Sequence, residues 1–232
     1  MILPPPGKKP QVLQYQTGYA RAIVSADIGQ QRDHTGIAVL VEHEIRGDWD
    51  PAWYTWEWHK QTTVQHVERM PLMVSYPEIV ARIKEVADWV REWGTRPTDG
   101  VWSHCGLSKL SAVVVDATGS GMPVVDLLRQ EQLNTVLAPV MITSGDVAHR
   151  EGDLWRVPKR DVVTNLQIIL AQKRLKFSGK IAQASLLTQE MQNMRVKNSA
   201  HGNEKFGCWR EGEHDDLVLA VGLGSWWLAK AR

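Results

Sequence analysis

Cysteine is scarce in this chain of 232 residues: there are two, Cys105 and Cys208, and no CxxC pair. That excludes a disulfide framework and fits a reducing compartment. Long apolar runs are missing as well, since none reaches the ~18 residues that crossing a bilayer requires. The start, MILPPPGKKPQ, has no apolar h-region and no cleavage site, so it does not read as a signal peptide. Charge of one sign is also lacking. Lys and Arg number 27 against 26 Asp and Glu, and a net charge of +1 announces no polyanion partner for the whole surface. No repeat recurs at a fixed period, and no tract is of low complexity. What is present is 43% hydrophobic residues, enough at this length for one sizeable core and one domain. Tryptophan is plentiful at eleven, and most of these belong to the core or its rim.

The charge is unevenly spread. From Arg150 to Lys180 there are eight Lys/Arg and three Asp/Glu, a local net of +5 that leaves −4 for the remainder. A basic segment on a mildly acidic body suits a face for a polyanion opposite a metal site; a solvated helix face is the plain alternative. Within it Arg156, Lys159, Arg160, Lys173 and Arg174 are candidate phosphate contacts, Lys159 for a scissile or flanking phosphate.

Residues Met1 to about Gly18 are rich in Pro, Gln and Lys and read as a loose arm or linker ahead of one domain over 19–232. ARAIVSADIG then predicts a strand ending at Asp27. QQRDH is a polar turn in which Asp33 has an ordinary turn role. TGIAVLVEHE is a second strand, IRGDWDPA a loop, and WYTWEWHK a third strand with Trp56 and Trp58 on one face. Trp49, Trp53, Trp56 and Trp58 read as hairpin packing ahead of stacking on DNA. YPEIVARIKEVADWVREWG predicts a helix with Ile79, Ile83, Val86 and Val90 inward and Gly94 as its stop. A strand over Ala112–Val115 ends at Asp116, and Gly119 and Gly121 let the chain turn into the helix MPVVDLLRQEQ. NTVLAPVMIT is a strand, SGDVAHREGDLWRVP a long loop and PKRDVVTNLQIILAQKRL a helix. KF is a short strand, AQASLLTQEMQNMRV a helix, KFGCWR a strand or hairpin, and HDDLVLAVGLGSWWLAKAR the last helix. Three antiparallel strands followed by alternating helix and strand predict an α/β fold, a mixed sheet with helices on both faces.

Three acidic positions stand out: Asp27 at the end of the first strand, Asp116 at the end of the fourth, and Asp215 with Asp216 at the start of the last helix. Singly they are ordinary, because aspartate caps turns and helix starts. If the first and fourth strands are parallel neighbours, however, Asp27 and Asp116 emerge side by side, and a helix crossing that edge brings the pair to them. Carboxylates so close repel one another. A hard cation such as Mg²⁺ or Mn²⁺ removes the conflict, and two such ions roughly 3.5–4 Å apart suit a phosphodiester displacement. His214, beside the pair, suits orienting water, moving a proton or touching phosphate; an exposed residue at a helix start is the equal alternative.

VSADIG…TGIAVL, VVVDATGSGMPVVDLL, VPKRDVVTNLQIILAQKRLKF and EHDDLVLAVGLGSWW, in this order and spacing, resemble the nuclease domain of phage terminase large subunits, from about Ala20 to Leu228. The resemblance implies an RNase H-like fold, akin to resolvases and integrases, and cleavage of double-stranded DNA with two bound Mg²⁺ or Mn²⁺ ions. It implies Asp27 as the first acid, Asp116 as the second, and Asp215 or Asp216 as the third, without deciding which of the pair is the principal ligand. It also implies a separate packaging ATPase, a small terminase subunit and a portal as partners in the cytoplasm of a bacterial host, encoded by a phage or prophage. The chain departs from full-length terminases in lacking GxxxxGK[ST] and the length for an ATPase. It therefore reads as an excised nuclease domain or a separately encoded nuclease. Two other readings compete. DIGQQRDHTGIAV resembles the phosphate loop of actin- and sugar-kinase-like ATPases, a fold that ordinarily needs two such domains. A non-catalytic DNA-binding or assembly module would keep the fold without the chemistry.

Overall fold

The structure, a computed structural model, describes residues 17–29, 33–93, 107–177, 179–193, 195–198, 204–207 and 214–230. Most of the Pro-rich arm, residues 30–32 of the polar turn, the stop at Gly94, both cysteines and the end of KFGCWR lie outside the described residues.

Alternation along β1 (Thr17–Asp27) shows how the molecule is layered. Ala22, Val24 and Ala26 belong to one apolar layer, and Ile23 to the other. A strand with apolar side chains on both faces lies in the middle of a sheet covered on both sides. That sheet adds β2 (Gly36–Asp50), β3 (Thr55–Arg69), β4 (Leu107–Asp116) and β5 (Val136–Thr143). It is completed by β6 (His149–Glu151), β7 (Leu154–Pro158) and β8 (Leu175–Phe177), in the order β6-β7-β5-β4-β1-β2-β3-β8. β1, β2 and β3 form the antiparallel meander, whereas β1, β4, β5 and β7 run parallel. α1 (Tyr76–Trp93) and α2 (Gly121–Gln130) cover one face, with Ile79, Ile83, Val86 and Val90 inward as the spacing predicts. α3 (Lys159–Ala171), α4 (Ala184–Asn193) and α5 (Asp216–Lys230) cover the other. β9 (Arg195–Asn198) and β10 (Glu204–Gly207) pair as a separate hairpin. This is the RNase H-like mixed sheet.

Several segments differ from the sequence reading. The expected long loop SGDVAHREGDLWRVP contains β6 and β7, joined through Gly152 at φ 64°, with Val157 buried in the core. β2 takes up most of the expected loop, to Asp50, because Trp49 packs edge-on against Tyr54 and Trp56 and Arg46 lies 4.1 Å above the Trp56 ring. The rest of β3 buries Val64 and Val67, which extends it to Arg69. α3 ends at Ala171, where Lys173 takes φ 57° and the Arg174 amide bonds the Ile169 carbonyl at 2.8 Å. Lys173 and Arg174 therefore follow the helix and do not lie on it. Arg195 and Val196 leave α4 for β9.

α5 is the core element that positions everything else, with twelve of its fifteen residues buried. Its Gly224 lies against Ser25, Leu40 and Ile23 of the sheet, its Gly222 against Val162 of α3. The Ser25 hydroxyl donates to the Ala220 carbonyl at 2.7 Å. At the start of α5 the sheet is equally close: a Cβ on Gly36 would lie 2.5 Å from the Asp216 carbonyl oxygen. Gly36→Ala is therefore expected to destabilise the protein by about 1–3 kcal/mol, the usual effect of overpacking. Urea denaturation measures it, and an unchanged midpoint would mean that β2 does not abut α5.

Candidate active site

Register delivers the acids to one place. Ala26 of β1 pairs with Val115 of β4, so Asp27 and Asp116 end neighbouring parallel strands at the same level. Across the antiparallel side, Asp27 pairs with Gly36 and Gly36 with Arg69. An aspartate, a glycine and an arginine thus form one row across three strands, on the face that α5 covers. With no side chain on Gly36, the first turn of α5 sits over the middle of that row, and Asp216 reaches Arg69: the Arg69 Nε lies 3.3 Å from Asp216 Oδ2.

Asp27, Asp116 and Asp216 are all buried. Burial, then the charge and hydrogen bond of Asp116, then the charges of Asp216 and Asp215 raise the Asp27 carboxyl well above its ordinary range. The other three sequence-predicted acids therefore all act on Asp27. Asp116 Oδ1 accepts from the Thr118 amide at 2.8 Å and its hydroxyl at 2.5 Å. Burial lifts Asp216 to about 6, against the pull of Arg69 and His214 and with a further push from Asp215. Asp215, just before the helix, faces Lys159 Nζ at 3.3 Å. His214 Nδ1 stands 4.0 Å from Asp216 Oδ2, and its ring meets His34 edge-on at 5.2 Å.

The basic residues divide. Of the five basic candidates from the sequence, Lys159 alone touches an acid of the site. Arg160 bonds the Asp146 carbonyl at 3.2 Å, and Arg156 pairs with Glu151 at 2.7 Å. Lys173 and Arg174 stand beyond the far end of α3, about 20 Å along a thirteen-residue helix. There Arg174 bonds the Lys60 carbonyl at 2.7 Å. Two open hollows of ≈ 430 and ≈ 440 Å³, on α1 and between β3 and the end of α3, contain none of the acids.

Sequence reading missed Arg69, Glu190, Thr118 and His34. Glu190 lies on α4, is 3% exposed, and pairs with Arg69. Its Oε2 accepts from the Leu217 and Val218 amides at 2.9 and 3.1 Å. Burial raises it to about 7, opposed by the Val218 amide and Arg69. No local pattern marks Glu190 or Arg69. Thr118, two residues after Asp116, fits the ordinary hydroxyl–carboxylate turn and was the one detectable signal.

Among the described residues, no three acid, imidazole or thiol side chains form a ready-made cluster that could hold a metal ion. Each acid is instead engaged locally: Asp27 with Asp116, Asp215 with Lys159, Asp216 with Arg69. The donors nonetheless fit a hard divalent cation. They are all carboxylate oxygens, they repel one another, and Asp216 Oδ2 is buried without a hydrogen-bond partner.

No protein-family model and no curated protein matches the chain. Among solved structures, it is similar to the large terminase nuclease from thermophilic phage G20c. The form with bound magnesium aligns over 92% of this chain and 85% of that one, at 20% identity and a TM-score of 0.57. A second crystal structure of that nuclease gives 91%, 84%, 18% and 0.54. RuvC of Thermus thermophilus aligns more loosely, over 90% and 96% at 10% identity and a TM-score of 0.37. The chain thus shares its fold with a large terminase nuclease. No helix among the described residues is long and apolar enough to cross a membrane.

The raised carboxyls make stability depend on pH in an unusual direction. Asp216 and Glu190 keep protons in the fold, up to about 6 and 7, that the unfolded chain releases near its ordinary 3.8 and 4.5. Metal-free protein is therefore expected to lose stability as pH rises from 5 to 7, Asp216 alone contributing on the order of 1 kcal/mol within that window. Glu68, kept at about 2 despite its burial by His66 and Arg82, titrates below this window. Asp27→Asn should flatten the fall. Thermal melts in EDTA across pH 5–8 check it, and a profile that rises with pH would remove the repulsion among these acids.

Proposed function

We propose that this chain is a divalent-metal-dependent endonuclease that cleaves double-stranded DNA phosphodiesters during viral genome packaging. One observation carries the reading: Asp27 and Asp116 end adjacent parallel strands, and the start of α5 brings Asp216 and Asp215 close enough to act on Asp27, in a fold shared with a large terminase nuclease. Mg²⁺ or Mn²⁺, as two ions, would be held by these four aspartates and would supply Lewis acidity at the phosphodiester and a more acidic water. The magnesium of the G20c nuclease supports that choice of ion.

The chain's own groups have separable tasks. Thr118 fixes the Asp116 carboxylate by two hydrogen bonds to Oδ1, which sets the orientation of Oδ2. Arg69 holds Asp216 over the sheet row. Lys159, paired with Asp215, stands where a phosphate beside the acids would meet a positive charge. His214, next to Asp216, is placed to orient water or take up a proton. Arg160 and Arg156 extend the positive edge beside Lys159, while Lys173 and Arg174 would meet the backbone farther from the cut. Contacts of this type carry little sequence information. A packaging ATPase, a small terminase subunit and a portal complete the reading as partners in the cytoplasm of a bacterial host.

Purified protein should nick or linearise plasmid DNA with Mn²⁺ or Mg²⁺ and stop with EDTA. Asp27→Ala and Asp116→Ala should each lower the rate ~100-fold or more while staying folded. Normal cutting by either folded variant would overturn the reading. DNA affinity should also fall steeply with salt. Replacing Lys159 and Arg160 together should flatten the slope of log K against log salt by roughly one to two. An unchanged slope would place both residues away from the DNA.

A further inference from the structure

The start of α5 is capped from outside. Asp215 occupies its N-cap position: its carbonyl accepts the Leu219 amide at 2.8 Å. An aspartate there ordinarily turns its carboxylate back onto the amides of the second or third helical residue. In α5 those residues are Leu217 and Val218, and both amides are taken by Glu190 Oε2 at 2.9 and 3.1 Å. Glu190 comes from α4, 27 residues earlier, and its other oxygen is held by Arg69. The Asp215 carboxylate, released from capping, points instead to Lys159.

We propose that Glu190 is a positioning residue that keeps Asp215 in the acid site by occupying the cap that Asp215 would otherwise fill. The two carboxylates compete for the same pair of donors. With Glu190 reaching them, α5 is capped and Asp215 is available to a divalent cation. Without that reach, Asp215 rotates onto its own helix, α5 stays capped, and the site loses an oxygen donor. The metal-binding consequence rests on the nuclease reading above; the exchange of caps does not.

Two conservative variants separate reach from charge. Glu190→Gln keeps an oxygen at the two amides and loses the charge facing Arg69. Glu190→Asp keeps the charge but is about 1.5 Å shorter. Mn²⁺ binding, measured by calorimetry without DNA, should weaken roughly tenfold in Glu190→Asp and stay within about threefold in Glu190→Gln. The reverse order would mean that Glu190 serves only to balance Arg69, and would overturn the proposal. Wild-type protein that binds no Mn²⁺ would sink the nuclease reading, and the exchange of caps would then be judged by melting temperatures in EDTA. Because either carboxylate can cap, Glu190→Asp with Asp215→Ala should lower the melting temperature by more than the two single changes together. A merely additive loss would show that Asp215 does not take the cap.

Discussion

Asp27 and Asp116 end adjacent parallel strands on the same face of the sheet, with almost no water around them. Two ionised carboxylates so placed repel strongly in a medium less polarisable than water. The surroundings are arranged by that conflict. Burial and then the Asp116 charge raise the Asp27 carboxyl, Thr118 holds Asp116, Lys159 faces Asp215, and Arg69 faces Asp216. Each positive group comes from a different element. The acid site is thus a point where β1, β3, β4, α3 and α5 must all be in place together.

α5 makes this convergence possible because it is apolar all round and can be enclosed. Sheet on one side and α3 on the other leave it no wet face except at its ends, and both ends are closed by side chains from elsewhere. Glu190 takes the first amides, while Arg21, itself paired with Glu42, donates to the Leu228 carbonyl near the last turn. A buried helix end without such partners would leave polar groups unsatisfied. Gly36, Gly222 and Gly224 supply the close approaches that lock its rotation, and rotation decides which way Asp216 points.

Much of this was legible in the sequence. Alternation and apolar stripes gave the meander, α1 and the terminal helix, and aspartates at two strand ends pointed to one sheet edge. The boundaries of β2, β3 and β7 were not legible, since aromatic pairs at a hairpin tip and a short strand after Gly152 depend on partners far along the chain. Arg69 and Glu190 were out of reach for a related reason. Arg69 is special only because a glycine in the next strand lets a helix sit between it and Asp27. Glu190 shows helical spacing and an unremarkable charge until α4 is docked on α5. The pair HDD read equally well as a capping signal or as ligands. The reason is physical: the helix start offers donors that an aspartate could take, and a third carboxylate, from Glu190, takes them.

α4 buries only Ala184, Leu187 and Glu190 of its ten residues, whereas α5 is buried along nearly its whole length. In terms of opening free energies, these two helices stand at opposite ends of the scale. Segments with few buried contacts open locally without global unfolding, and amides in the core exchange only when the whole domain opens. The amides of Leu217 and Val218 belong to the durable helix but take their acceptor from the fragile one. The first turn of α5 therefore forms a border of stability. Its acids rest on a deeply buried helix, and their orientation depends on one that is buried at far fewer positions.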